Sequence, residues 1–341
     1  MTPESLLHYT HATLPAPGDS LEVAEGVYWV RMPLPFALDH INLWLLQDGA
    51  QCVVVDCGIG TAATRELWQQ ALGKRLGSGG LSRVIVTHHH PDHVGNAGWL
   101  TTRYDAPLWM AQAEYLTAHA NLDGAAGFSR ERLIGMYRRN GLDEASAQAL
   151  LKGGSNFRRV VLDFPTSYRR IIDGEALKIG GREWRVMMGY GHAPEHAALY
   201  CETLGVLVSG DMVLPRISTN VSVPSSQPTG NPLGLYLQSI LHYAELPPET
   251  LILPSHGLPF RGVRERVAQL QEHHRLRLAE LHEACDTPKS AADVLQTLFR
   301  RTLDAHQTFF AMGEAMAHLH CLLEQGLLRK EDGEVIRYVR T

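Results

Sequence analysis

Four histidines fall within six positions, His88, His89, His90 and His93, directly after the β-branched run 83–87. In an extended segment alternate side chains share a face, so His88 and His90 can grip one ion. Asp92 and His93, displaced by the turn at Pro91, face a second position. Three more apolar segments end in the same manner: 184–188 leads to Tyr190-Gly191-His192, 206–208 to Ser209-Gly210-Asp211, and 251–253 to Pro254-Ser255-His256-Gly257. Loops past the carboxyl ends of strands are where a rigid α/β scaffold gathers its functional groups. Such a chain must fold so that four strand ends from distant stretches meet. Imidazole and carboxylate are donors that suit divalent zinc, iron or manganese without any thiolate.

The rest of the chain supports an α/β reading. Segments 27–31, 41–46 and 52–56 have strand character, the last two joined by the turn-like Gln47-Asp48-Gly49 as a hairpin. Helical spacing follows over 62–72, then the glycine-rich loop 77–80. A helical insertion is expected over about 112–151. Between 130 and 170 nine basic residues stand against four acidic ones, a local +5 in a chain of net charge −5. The helix expected over 263–285 is polar. Further helices at about 291–298 and 309–325, Gly326 as a stop and a hairpin around Asp332-Gly333 give the layout of a winged helix. On a face of the last helix, Phe310, Ala317, Leu319, Leu322 and Leu323 are expected to be buried.

Composition narrows the class. A hydrophobic content of 45% with 20% charged residues is that of a globular chain. No apolar run approaches the roughly 20 residues of a membrane span. Segment 1–10 contains Glu4 and no basic region before an apolar block, so it does not read as a signal peptide, and a cytoplasmic location is expected. Five cysteines, Cys52, Cys57, Cys201, Cys285 and Cys321, are scattered and form no CxxC pair, which suits free thiols.

His-x-His-x-Asp-His at 88–93 resembles the signature of the metallo-β-lactamase-fold hydrolases, and the remaining donors follow in that family's order. The likeness covers about residues 24–262, and Val54-Val55-Asp56-Cys57-Gly58 resembles the family's early strand-end motif. The resemblance implies a four-layer αβ/βα sandwich with a small C-terminal helical, winged-helix-like module. Residues 1–262 would form the catalytic domain, with an insertion at about 112–170, and 263–341 the module. It implies that His88, His90 and His192 bind one metal, that Asp92, His93 and His256 bind a second, and that Asp211 spans both. Zinc is the expected metal, with iron or manganese as alternatives. Asp56 reads as an orienting carboxylate, His89 as a supporting or solvent-facing residue, and His196 as either a supporting residue or a substrate contact. The other histidines, His40 among them, default to surface or packing roles.

Two such ions acidify a bridging water and polarise the bond under attack, so hydrolysis needs no side-chain nucleophile. Asp92 and Asp211 would orient the hydroxide and receive a proton as the leaving group departs. A small anionic ester or thioester is the expected substrate, in the manner of glyoxalase II. Their Gly-His-Thr-x-Gly-His stands here as Gly191-His192-Ala193-Pro194-Glu195-His196, however, and their glutathione-contacting basic motif has no clear counterpart. An endoribonuclease or phosphodiesterase of the same fold is one alternative, but 287–341 holds seven basic and seven acidic residues, without the positive footprint of a nucleic-acid reader. A packing or dimerisation role for that module, giving a homodimer, is the expectation. An iron-dependent persulfide dioxygenase is another alternative. Diiron reductases of the superfamily carry Glu where this chain has His90.

Overall fold

The computed structural model describes residues 7–11, 13–35, 38–76, 79–152 and 157–341. Positions 1–6 of the N-terminal segment, 77 and 78 of the glycine-rich loop and 153–156 of the insertion lie outside the described residues. The chain opens with β1 (His8–Tyr9), β2 (Leu21–Ala24), β3 (Val27–Pro33), β4 (His40–Asp48) and β5 (Gln51–Val55). Helix α1 (Ala62–Arg75) starts at a reciprocal Thr61/Thr64 cap, with Lys74 and Arg75 in its last turn. Next come β6 (Leu81–Ile85), α2 (Pro91–Val94), α3 (Ala97–Tyr104) and β7 (Leu108–Met110). The insertion contributes α4 (Gln112–Asp123), α5 (Arg130–Arg139), α6 (Glu144–Lys152) and α7 (Phe157–Val160) before β8 (Arg169–Arg170).

The second half runs through β9 (Ala176–Ile179), β10 (Arg182–Gly189), β11 (His196–Cys201) and β12 (Val206–Gly210), then α8 (Pro232–Ser239) and α9 (Leu241–Ala244). It continues with β13 (Leu251–Pro254), β14 (Phe260–Arg261), α10 (Val263–Ala284), α11 (Leu295–Leu298), α12 (Ala305–Glu324) and the hairpin β15 (Leu328–Glu331) with β16 (Arg337–Arg340).

Two seven-stranded sheets face each other, one ordered β2-β3-β4-β5-β6-β7-β8 and the other β1-β14-β13-β12-β11-β10-β9. Both faces of the inner strands are covered, so their sequences are continuously apolar and alternate only in which layer they enter. On β5, Cys52 and Val54 join a core with Trp68 of α1 and Leu100 of α3, while Val53 and Val55 point into the core between the sheets. On β12, Val206 and Val208 enter that middle core and Leu207 packs with Tyr236 of α8, Leu270 of α10 and Met316 of α12. Helices, sheet, sheet, helices: the layers are the expected four.

The insertion passes from one outer layer to the other. Tyr115 and Ala118 of α4 belong to the first sheet's helical core, whereas Ile134 and Tyr137 of α5 and Leu150 of α6 belong to the second's.

Two expectations in the C-terminal region are corrected. The helix expected over 291–298 is one turn, Leu295–Leu298. Ser290 and Asp293 cap one another, each accepting the other's backbone N–H, and Ala292 N–H goes to Asn140 O, which fixes the preceding residues as turns. Phe310 is 42% exposed, its ring lying against His306 and Phe309 at the first turns of α12. Ala317, Leu319 and Leu322 are buried. No described helix is long and apolar enough to cross a membrane.

Candidate metal centre

Strand ends deliver the donors to one edge of the sandwich. β6 runs into Thr87 and the histidines, β10 into His192, β12 into Asp211 and β13 into His256, with β12 and β13 paired parallel and the register shifting between Val208 and Gly210. Pro91 at the first position of α2 turns the chain so that Asp92 and His93 leave the extended stretch that carries His88 and His90. The result is two groups whose donor atoms lie within 4.8 Å of one another: His88, His90, His192 and Asp211 in one, Asp92, His93 and His256 in the other. The seven residues named from the resemblance thus lie together, His88, His90 and His192 on one side and Asp92, His93 and His256 on the other.

Asp211 sits between them. Its Oδ2 is 3.5 Å from His192 Nε2, and its Oδ1 is 3.6 Å from both His93 Nε2 and His256 Nε2. Asp92 Oδ2 lies 3.5 Å from His256 Nε2 and 3.8 Å from His93 Nε2.

The surroundings decide which nitrogen of each ring holds its proton. A carbonyl or carboxylate oxygen can only accept, so His192 Nδ1 donates to Asn220 O at 2.7 Å, His256 Nδ1 to His40 O at 2.8 Å, and His93 Nδ1 to Asp56 Oδ2 at 2.8 Å. Thr87 Oγ1 donates to Asp56 and accepts from His88 Nδ1 at 3.0 Å. The Nε2 atoms of His88, His93, His192 and His256 therefore all turn inward. His88 Nε2 stands 3.2 Å from His192 Nε2 and 2.9 Å from His90 Nδ1. His93 Nε2 and Asp211 Oδ1 are buried without hydrogen-bond partners. The facing Nε2 atoms of His88 and His192 and the unpartnered, buried Asp211 Oδ1 fit a cation between them.

Electrostatics differ between the two positions. Burial and the neighbouring imidazoles hold His88 and His90 well below the usual histidine range, and burial lowers His192 despite Asp211. Burial alone would also lower His93, but Asp56, Asp92 and Asp211 raise it to about 10; Asp211 and Asp92 likewise raise His256. Neighbouring His93 and His256 hold Asp92 far below the carboxylate range.

Asp56 orients as expected: besides His93 it accepts Thr87 N–H at 2.8 Å. The open question of His196 is resolved in favour of support. Its ring is fully buried, and its Nε2 accepts the Asp211 backbone N–H at 3.1 Å. Gly210, at φ +53°, permits this approach, because a Cβ there would fall 2.3 Å from His196 Nε2. His89 is bound through Nδ1 to the buried Glu114 at 2.6 Å. That carboxylate also accepts the backbone N–H groups of His89 and Glu195, tying α4 to the histidine loop.

Sequence reasoning missed several supporting residues. His40 acts through its carbonyl under His256, and its Nε2 accepts Gly257 N–H at 3.0 Å. Asn42 donates to Pro254 O and Gly257 O, clamping the His256 loop onto β4. A lone Asn inside the apolar run 41–46 was the available signal for Asn42. Backbone acceptors such as His40 O and Asn220 O leave none.

A family model described as Metallo-beta-lactamase superfamily matches residues 37–256, and one described as Metallo-beta-lactamase-like, C-terminal domain, matches 278–341. The chain is 26% identical over 324 residues to the probable metallo-hydrolase YqjP of Bacillus subtilis, covering 92% of this chain and 98% of that one. The crystal structure of a beta-lactamase domain protein from Burkholderia ambifaria is 49% identical, covers 100% of both chains and superposes with a TM-score of 0.92. A more distant relative is the human acyl-coenzyme A thioesterase MBLAC2, 23% identical over 198 residues, 56% of this chain and 64% of that one.

Proposed function

Since the chain belongs to the metallo-β-lactamase superfamily, as a metallo-hydrolase of that fold, we propose that it hydrolyses a small anionic ester or thioester at a pair of divalent cations. The observation that carries this reading is the placement of Asp211, one carboxylate oxygen toward each donor group. His88, His90 and His192 would hold one cation, Asp92, His93 and His256 the other, with Asp211 placed to serve both. The nitrogen and oxygen donor set favours zinc, with iron and manganese also compatible. Bound there, such a pair supplies Lewis acidity and water acidified toward neutrality.

The chain's own residues do the rest. Asp56, Asn220 O and His40 O keep the imidazole protons on the outward nitrogens. Asp92 and Asp211, acceptors at the centre of the cluster, orient the attacking water and take up its proton for transfer to the leaving group. Two features support an anionic substrate. α7, which packs against α2, carries the exposed Arg158 and Arg159, and distant MBLAC2 acts on acyl-coenzyme A by its name. Much of the remaining positive charge is engaged locally: Arg138 pairs with Glu144 at 2.8 Å and Arg169 with Glu175.

The test is metal analysis of purified protein followed by a panel of thioesters, lactones, phosphodiesters and single-stranded RNA. Two metal equivalents and preferential thioester or ester cleavage are expected. Asp211→Ala and His90→Ala should abolish turnover and reduce bound metal. Full activity with a full metal complement in either variant refutes the reading, and preferential cleavage of RNA moves the substrate to the nuclease branch.

A further inference from the structure

α12 is buried on all sides from Ala311 to Leu322 with one exception, the acidic Glu314. A carboxylate in such a stretch loses hydration, and neither helix formation nor core packing calls for it. Its Oε2 lies 3.5 Å from Asn220 Nδ2. Ser222 sets the amide's orientation, because its Oγ donates to Asn220 Oδ1 at 2.9 Å and leaves Nδ2 for the carboxylate. The backbone carbonyl of the same Asn220 receives the proton of His192 Nδ1.

The adjoining residue explains how the helix comes so close. A Cβ on Gly313 would fall 2.6 Å from Ser222 Oγ, and Val223 N–H donates to Gly313 O at 3.2 Å. Glycine inside a helix costs about 1 kcal/mol relative to alanine, so a packing reason of this kind is required. On the other side of the loop, Thr219 Oγ1 donates to Asp211 O. The segment 219–223 thus touches two of the seven donors with one face and α12 with the other.

We propose that Glu314 is a positioning residue of the metal centre: through Asn220 it fixes the carbonyl that orients His192, so the C-terminal helix is a working part of a site whose donors all come from elsewhere. This rests on the reading of His192 as a ligand. The test is zinc binding by the full chain in competition with a chromophoric chelator, with thermal unfolding of the metal-free proteins alongside. The parent should bind two equivalents. E314A should weaken one of them about tenfold, the lower end of what outer hydrogen-bond partners of metal ligands contribute. E314Q, whose amide oxygen still accepts from Asn220 Nδ2, should recover to within about threefold. N220A should match E314A, and the double variant should lose no more than either alone, as expected of one pathway. Unchanged affinities in E314A, no recovery in E314Q, or additive losses in the double variant overturn the proposal. If E314A does not fold, N220A, which leaves α12 intact, carries the same expectation and the same refutation. A parent that binds no zinc defeats the metal reading itself. A parent with two equivalents and an E314A variant equally tight defeats only this inference.

Discussion

Asp56 Oδ2 accepts the Nδ1–H of His93 across 2.8 Å inside a pair that water does not reach, and the same carboxylate binds both the backbone and the hydroxyl of Thr87. One side chain at the end of β5 therefore fixes the ring plane of one donor and the start of the loop that carries three more. Asp56 itself sits at φ +63°, a left-handed conformation that Asp tolerates better than most residues.

Removing this anchor should cost metal, not fold. Asp56→Ala is expected to weaken binding at the Asp92, His93 and His256 position by about 10–100-fold. Asp56→Asn, which keeps an acceptor but loses the charge, should fall between. Chelator competition measures both, and a D56A protein that holds two zinc ions at parental affinity would show that His93 needs no such support.

Gly210 offers a steric test of the site's second support. Alanine there must adopt φ +53° and intrude on His196 Nε2. A loss of about 1–3 kcal/mol in unfolding free energy is expected from the clash and the strain together. Urea midpoints of the metal-free proteins decide it; equal midpoints would mean that β12 and His196 are spaced more loosely than found here.

Metal removal should unlock the donor cluster as a whole. Without a cation the facing Nε2 atoms of His88 and His192 have no shared partner, so the metal-free protein should melt lower than the loaded one. Free zinc at about a thousand times its dissociation constant would restore roughly 4 kcal/mol. A melting temperature indifferent to chelator and to added zinc would contradict the cluster's dependence on cations.

The candidate donors were legible because the segments that carry them follow apolar runs, and two buried faces force such runs to be strands. The four layers were expected from the family resemblance, and the same runs supply their strands. Legibility stopped where backbone atoms do the work. Nothing in the sequence tells that the carbonyls of His40 and Asn220 hold protons of His256 and His192, because any residue type supplies a carbonyl. His196 remained ambiguous for a related reason: its role depends on a glycine's missing Cβ two strands' length away in sequence. The shortened α11 reflects side chains of Ser290 and Asp293 competing with the helix for backbone N–H groups, a contest that apolar spacing does not register. Phe310 shares its expected face with Ala317, seven residues on, but lies in the exposed opening turns of α12, before the buried stretch begins at Ala311.

A pair of histidines outside the donor cluster sets the last expectation. His274 Nδ1 and His318 Nε2 share a hydrogen bond at 3.2 Å in the core beneath α10 and α12. Burial, helped by His318 and His273, pushes His274 down to about 3. Burial likewise lowers His318 to about 4, opposed by the Glu314 carbonyl and reinforced by His273 and Arg277. In the unfolded chain both titrate near 6.5. Between that value and the folded ones the unfolded state binds protons that the native state refuses, so stability is full above about pH 6.5 and falls as pH drops. At pH 5 each ring should account for about 2 kcal/mol of the loss. His274→Leu removes one titration along with one hydrogen bond. The lost hydrogen bond lowers stability at every pH, whereas the lost titration changes only the slope. The difference in unfolding free energy between pH 7.5 and pH 5, from urea melts of metal-free protein, should therefore shrink by about 2 kcal/mol in the variant. An unchanged difference would mean that His274 is protonated in the folded core and that its partner, or a route for solvent, accommodates the charge.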